Sequence, residues 1–475
     1  MTDSLHARLT PQLITALIVL ISGCAVGPNY QRPDSVDVSA FKEAEGWVPA
    51  APADALERGP WWSLFNDPLL DQLAARVEVS NQNVAAAVAA YAQARALVRE
   101  QRAGLFPVVT LDGSATRSHS SSSSSSNSSS SGRTGNNYQL SIGGNWEPDV
   151  WGRLGRAADG AKAGADASAA DLAAARLSAQ GELAVNYLSL RQTDAQKALL
   201  AGTLEGFQRS LEITRNRYSA GIAAKTDVLQ AQTQLANAQA DDAGLQRQRA
   251  RFEHAIAVLI GEAPGNFTLA PAAWSPVVPD VPVGVPSTLL QRRPDIASAE
   301  RRVAIANEQI GIAKSAYYPS LSLGASYGLG ASRVADLFNA SSSVWSIGLS
   351  AAQVLFNAGA TGARVEARQA AHAQAVAQYR QTVLTAFQGV EDQLAATRVL
   401  LTQQEFRRQA SEAADQVEQQ VLNRYRSGQV SFTEVITAQA TALNARRALV
   451  QAMADRQTTA VALIQSLGGG WQLGK

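Results

Sequence analysis

A serine set between two glycines is the first place to look for chemistry in this chain. Gly324-Ala325-Ser326-Tyr327-Gly328 fits G-x-S-x-G, the spacing that presents a nucleophile on a sharp strand-to-helix turn. Here the pentapeptide lies inside a run that alternates apolar and small polar residues with no helix directly following, so no hydrolase is expected. The four histidines (His6, His119, His254 and His372) stand at no metal-ligand spacing, and His, Cys and Met do not cluster as a metal relay requires. No catalytic residue, metal or diffusible cofactor is expected. A formal net charge of +1 supplies no field for nucleic acid or an acidic substrate.

The remaining reactive side chain is the single cysteine. Residues 1–23 carry Arg8, the apolar run Leu13–Ile21 and small residues ahead of Cys24, the layout of a secretory signal. The run is too short to span a bilayer. Ile21-Ser22-Gly23-Cys24 resembles a bacterial lipobox, whose cleavage leaves Cys24 as a lipidated N-terminus. By the same resemblance, Ala25 in place of an inner-membrane retention aspartate sends the lipoprotein to the outer membrane. One acyl anchor attaches weakly, so other membrane contacts are expected.

One longer pattern occurs twice. Residues 217–232 and 424–439 share R-Y-x-x-G-x-x-x-x-T-[DE]-V-[LI]-x-A-Q, a repeat at an offset of about 207 residues (424 minus 217). Each copy predicts the bend of a helical hairpin. A long helix ends at Gly221 or Gly428 in the left-handed region, and the next starts at Thr226/Asp227 or Thr433/Glu434. Tyr218 and Tyr425 are expected to pack between the arms.

Between the helical stretches the apolar period changes from 3.6 to 2. Val109, Leu111, Gly113 and Ala115 alternate with Thr110, Asp112, Ser114 and Thr116, and after the Ser-rich stretch Ser118–Ser131 the set Tyr138, Leu140, Ile142, Gly144 and Trp146 does the same. The second half repeats this with Leu321, Leu323, Ala325, Tyr327 and Leu329, then Trp345, Ile347, Leu349 and Ala351. Runs of about 9–11 residues with one apolar and one small polar face match transmembrane barrel strands. Four strands cannot close, and an open edge does not survive in lipid. Several copies must therefore contribute, and three copies with twelve strands is the natural answer. The faces expected to line water are mostly Ser, Thr, Gly, Asn and Gln, with Asp112 and Glu147 the exceptions, which suits a permissive conduit.

A long helix is expected after each β-hairpin, running to the Arg217 tip and to the Arg424 tip. The return from the first tip is broken by a linker holding seven of the 17 prolines. The return from the second stops at Gly468, and the helix over 80–105 supplies its missing piece. The chain thus divides into a leader 1–23, an arm 24–68 packed on an equatorial belt, and a first repeat 69–261 (β-hairpin 108–147, tip near 217–226). A linker 262–294, a second repeat 295–467 (β-hairpin 319–355, tip near 424–433) and a tail 468–475 complete it.

These features resemble the TolC-like outer-membrane factors, specifically the lipoprotein branch serving RND-type multidrug efflux pumps. The carriers are A-V-G-P-N-Y-Q-R-P (25–33), W-W-x-L-F-x-D-P-x-L (61–70), W-E-P-D-V-W-G-R (146–153), R-R-P-D-I-A-S-A-E-R-R (292–302), A-Y-Y-P-S-L-S-L (316–323), both tips and L-G-G-G-W (467–471). The resemblance implies a mixed fold: a trimeric twelve-stranded transmembrane β-barrel, four strands per chain, continuous with a long periplasmic α-helical barrel. It implies a passive exit duct with a periplasmic adaptor protein docking at the tips, an inner-membrane RND pump and outer-membrane lipid as partners. The docking residues would be Arg217, Tyr218, Gly221, Arg424, Tyr425 and Gly428, with Arg217 and Arg424 holding the closed state. The family often places an acidic residue one turn before the second-repeat arginine. Val421 stands there in this chain, so an apolar plug at Val421 and Val417 is expected, with Glu418 contributing charge. The alternatives are the outer component of a type I protein-export system and a surface coiled-coil scaffold without a pore.

Overall fold

The computed structural model describes residues 25–34, 60–120, 133–279 and 293–469. The expected leader, Cys24 with its expected lipid, the middle of the Ser-rich connection, part of the proline linker and the end of the tail lie outside them.

The element lengths carry the duplication. Helices α1 (Pro68–Ser80) and α2 (Gln82–Ala103) precede strands β1 (Val108–Ser120) and β2 (Arg133–Trp146). Next come α3 (Arg153–Ser219) and α4 (Lys225–Leu259). The second half runs α5 (Pro294–Ser315), β3 (Ser320–Ala331), β4 (Ser343–Ala352), α6 (Ala360–Arg426) and α7 (Phe432–Ser466). The two long helices have 67 residues each, about 100 Å of helical rise. Their return helices have 35 each, and the helices leading into β1 and β3 have 22 each. None of the described helices is long and apolar enough to cross a membrane.

Local chemistry explains the boundaries. Asp67 accepts from the amides of Leu69 and Leu70 with Pro68 in the first helical turn, a capped start for α1. Asp149 accepts from the amides of Leu154 (2.9 Å) and Gly155 (2.6 Å), which fixes where α3 begins after β2. In the same W-E-P-D-V-W-G-R segment Trp146 donates to the Leu105 carbonyl, Trp151 to that of Pro319, and Arg153 pairs with Glu147. That motif is a strand-to-helix joint.

The described chain falls into two compact units. The first holds the sheet, in the antiparallel order β1-β2-β3-β4. Its register puts all four apolar sets on one face. Leu111 pairs with Ile142, Ile142 with Tyr327, and Tyr327 with Trp345, and the row Val109, Gly144, Ala325, Ile347 runs beside it. The opposite face carries Thr110, Gly143, Ser326 and Ser346 in register, with Ser322–Ser350 and Ser326–Ser346 hydroxyl pairs. The apolar face is uncovered: Leu111 is 72% and Trp345 71% exposed. The N-terminal arm also enters this unit. The Val26 amide donates to the Trp151 carbonyl, the Pro28 carbonyl accepts from Arg156 and Asn307, and the Tyr30 hydroxyl donates to Glu300. The described residues of the arm divide between the two units. Gly27, set tightly against Gly311, lets the backbone of the arm lie on α5.

The second unit buries Trp61, Trp62 and Phe65 of a 3-10 turn with Leu70, Leu73 and Val77 of α1, Leu183 and Tyr187 of α3, Ile256 of α4 and Ile464 of α7. A charged seam crosses this core. Asp194 pairs with Arg191 (3.1 Å) and Arg249 (2.7 Å). Arg191 also donates to Tyr187 and the Ala270 carbonyl, and Tyr187 donates to Asp67 at 2.6 Å. Burial, then the bond to the Asp67 carboxylate, raises the Tyr187 pKa from 10.0 to about 12. The protonated phenol is the form the fold favours, so its contribution is complete below pH 10.0 and is lost as pH climbs toward about 12. Melting temperature should therefore fall more steeply over that window in the natural protein than in Tyr187→Phe. Parallel curves would show that the phenol is not the titrating group.

Candidate functional site

The duplicated tips are built by the same backbone device. At the first, the amides of Gly221 and Ile222 donate to the carbonyls of Tyr218 (2.9 Å) and Arg217 (2.8 Å). At the second, Gly428 and Gln429 donate to Tyr425 (3.0 Å) and Arg424 (2.9 Å). This is the Schellman closure, and it places Gly221 at φ 73° and Gly428 at φ 74°. A Cβ at either would meet nothing within 4 Å, so left-handed backbone and not lack of space selects glycine.

Beyond the glycines the copies diverge. The second hairpin restarts with a capping box between Ser431 and Glu434, while Ala224 gives the first no side-chain cap. The helices restart at Lys225 and Phe432, one residue ahead of the expected Thr-acid pairs, a difference of the size by which helix ends vary. The aromatic pair also splits. Tyr425 lies against Phe432, ring centroids 5.5 Å apart, with the Arg217 guanidinium 5.0 Å from its centroid. Arg217 therefore crosses from the first hairpin to the second, a contact worth about 0.5–1 kcal/mol. Tyr218 is 46% exposed and does not pack as expected; Arg424 is exposed too.

The three constriction residues separate in the same way. Val417 is exposed. Val421 packs on a small cluster of Leu211, Ala231, Phe432 and Val435, so it serves the hairpin interior. Glu418 is not a free charge. Arg446 of α7 donates through Nε to Asp415 and through Nη2 to Glu418, both at 2.8 Å. The next residue, Arg447, reaches Asp241 of α4 at 2.8 Å. These arginines were missed, although the repeat carried a signal. At the offset of about 207 residues, the first half has Gln208, Leu211, Gln239 and Ala240 where the second has Asp415, Glu418, Arg446 and Arg447.

The Arg446 fork is half open to water, which limits each pair to about 0–1 kcal/mol. Arg446→Gln leaves two carboxylates one turn apart without their cation. It should lower the melting temperature at low salt and much less at high salt, where repulsion is screened. A loss that is independent of salt would assign Arg446 to packing.

Ser326 lies within β3, its hydroxyl 2.8 Å from that of Ser346, away from any strand-to-helix turn. Among the described residues no group of three or more His, Cys, Asp or Glu could hold a metal ion.

A family model described as outer membrane efflux protein matches residues 73–262 and 285–469. The probable efflux pump outer membrane protein TtgC of Pseudomonas putida is 31% identical over 464 residues, spanning 96% of this chain and 94% of that protein. Outer membrane protein OprJ of Pseudomonas aeruginosa is 28% identical over 467 residues, 97% and 96% of the two chains. The solved outer-membrane channel OprN superposes with a TM-score of 0.85 at 29% identity, covering 94% of this chain and 100% of that one.

Proposed function

We propose that this chain, which belongs to the outer membrane efflux protein family, is the outer-membrane exit duct of a tripartite RND-type efflux pump. The observation that carries this reading is the sheet: among the described residues it has four strands, one apolar face left uncovered, and edges at β1 and β4 without a strand partner. Lipid is the solvent that suits such a face, and sister chains are what such edges pair with. Three chains supply twelve strands around a lumen lined by glycine, serine, threonine and asparagine. The helical tips then form the periplasmic end, where an adaptor meets Arg217, Tyr218, Gly221, Arg424, Tyr425 and Gly428.

In this reading the duct is passive. Closure at the tips sums many weak contacts, Arg217 on Tyr425 among them, so docking of a partner shifts it without breaking any single strong bond. Cys24 carries the acyl anchor. Cys24→Ser should abolish incorporation of labelled palmitate, and labelling that persists would remove the anchor from the account. Purified protein added to a planar bilayer should give stepwise conductance. A silent membrane at every voltage would favour a scaffold without a pore.

A further inference from the structure

The foot of the sheet holds a cavity that the duct reading leaves without a role. It encloses about 360 Å³, within the range of small-molecule sites. Glu147, Ser320 and Ala352, at the feet of β2, β3 and β4, line it, and all three belong to the alternation set of the polar face; Leu321 alone comes from the apolar set. The cavity therefore opens beneath the side of the sheet that the duct reading assigns to the lumen.

Its walls are chemically uneven. Trp151 and Tyr318 stack with centroids 4.8 Å apart and planes at 26°, and the indole is fixed by its 2.7 Å bond to the Pro319 carbonyl. Three arginines border the space. Two carboxylates border it as well: Glu147 neutralises Arg153 at 2.7 Å, and Asp149 accepts from the amides of Leu154 and Gly155. Arg364 and Arg368 stand one turn apart on α6 and are exposed, and among the described residues neither has an ion-pair or hydrogen-bond partner. The same cavity is thus lined by a stacked aromatic pair and by two guanidinium groups without a partner among the described residues.

We propose that this cavity binds organic anions with an aromatic body, as a waypoint for such solutes. The guanidinium groups take the carboxylate, for which their fork geometry is suited. The Trp151–Tyr318 wall takes the flat apolar part. A neutral or cationic molecule of the same shape gains only the second contact. The binding chemistry stands by itself, whereas the role as a waypoint rests on the exit-duct reading.

Calorimetry on the full-length purified protein tests it with two probes, 1-naphthoate and the matching cation 1-naphthylmethylammonium. Saturable binding of the anion, tighter than that of the cation, is expected. Arg364→Gln/Arg368→Gln should weaken the anion by about tenfold or more, the loss of charge-assisted bonds, with melting temperature and bilayer conductance kept. Absence of anion binding, equal binding of the cation, or an affinity unchanged in the double variant would each overturn the site. A protein that binds naphthoate as described but conducts no current would keep the site and remove the duct.

Discussion

Ile347→Arg is expected to keep the chain from assembling in the outer membrane, while Ser346→Arg, one residue earlier, assembles normally. In a strand adjacent side chains point to opposite faces. Ile347 shares its face with Val109 and Ala325, in register across the sheet, and is 69% exposed. Ser346 lies on the other face beside Ser326. An arginine on the lipid face near the bilayer middle costs about 2–4 kcal/mol, whereas a lumen position costs little. The penalty recurs in every copy that closes the barrel, so assembly should fall by orders of magnitude. The readout is the fraction of heat-resistant oligomer in outer-membrane extracts. Equal loss in both variants would mean that neither face meets lipid.

Asp194→Ala is expected to be the most damaging change in the second unit. The Asp194 side chain is 4% exposed and balances two arginines, of which Arg191 is 6% exposed. Removing the carboxylate leaves two guanidinium groups in the core with one nearby acid, Glu253, which already serves Arg249 and the Leu269 amide. Breaking a buried pair by deleting one partner costs about 3–5 kcal/mol, a large part of the 5–15 kcal/mol that holds a typical domain. The seam also ties residues 269 and 270 of the linker to α3 and α4, so protease cleavage should increase first in that linker. Asp194→Asn keeps the volume and one acceptor and should fall between the two. An Asp194→Ala protein with unchanged melting and cleavage would show that the seam contributes nothing net.

Much of this architecture could be read from residue order because two periodicities and one repeat are local signals. The alternation from Val109 to Ala115 and from Leu321 to Leu329 names the same faces that the register brings together, since a one-residue slip would send every side chain to the wrong side. The tips were legible because a left-handed helix stop needs glycine. The charge arrangement was not. Asp415 and Glu418 meet Arg446 only after the chain has turned, and their spacing across the bend depends on how two helices face each other. Composition counts Tyr218 and Tyr425 alike, yet only Tyr425 has Phe432 to lean on, because Lys225 stands at the matching place in the first half. Arg364 and Arg368, unpaired among the described residues, were silent for the same reason: an arginine without a partner looks no different in sequence from one with a partner.

A lumen, a lipid face and a tip ring exist only where sister chains complete the sheet. The mass of the complex in detergent, measured intact, tests this most directly. Three copies held together until the detergent-resistant barrel unfolds is the predicted result. A single copy, stable in plain buffer with its four strands and both edges unpaired, would contradict it.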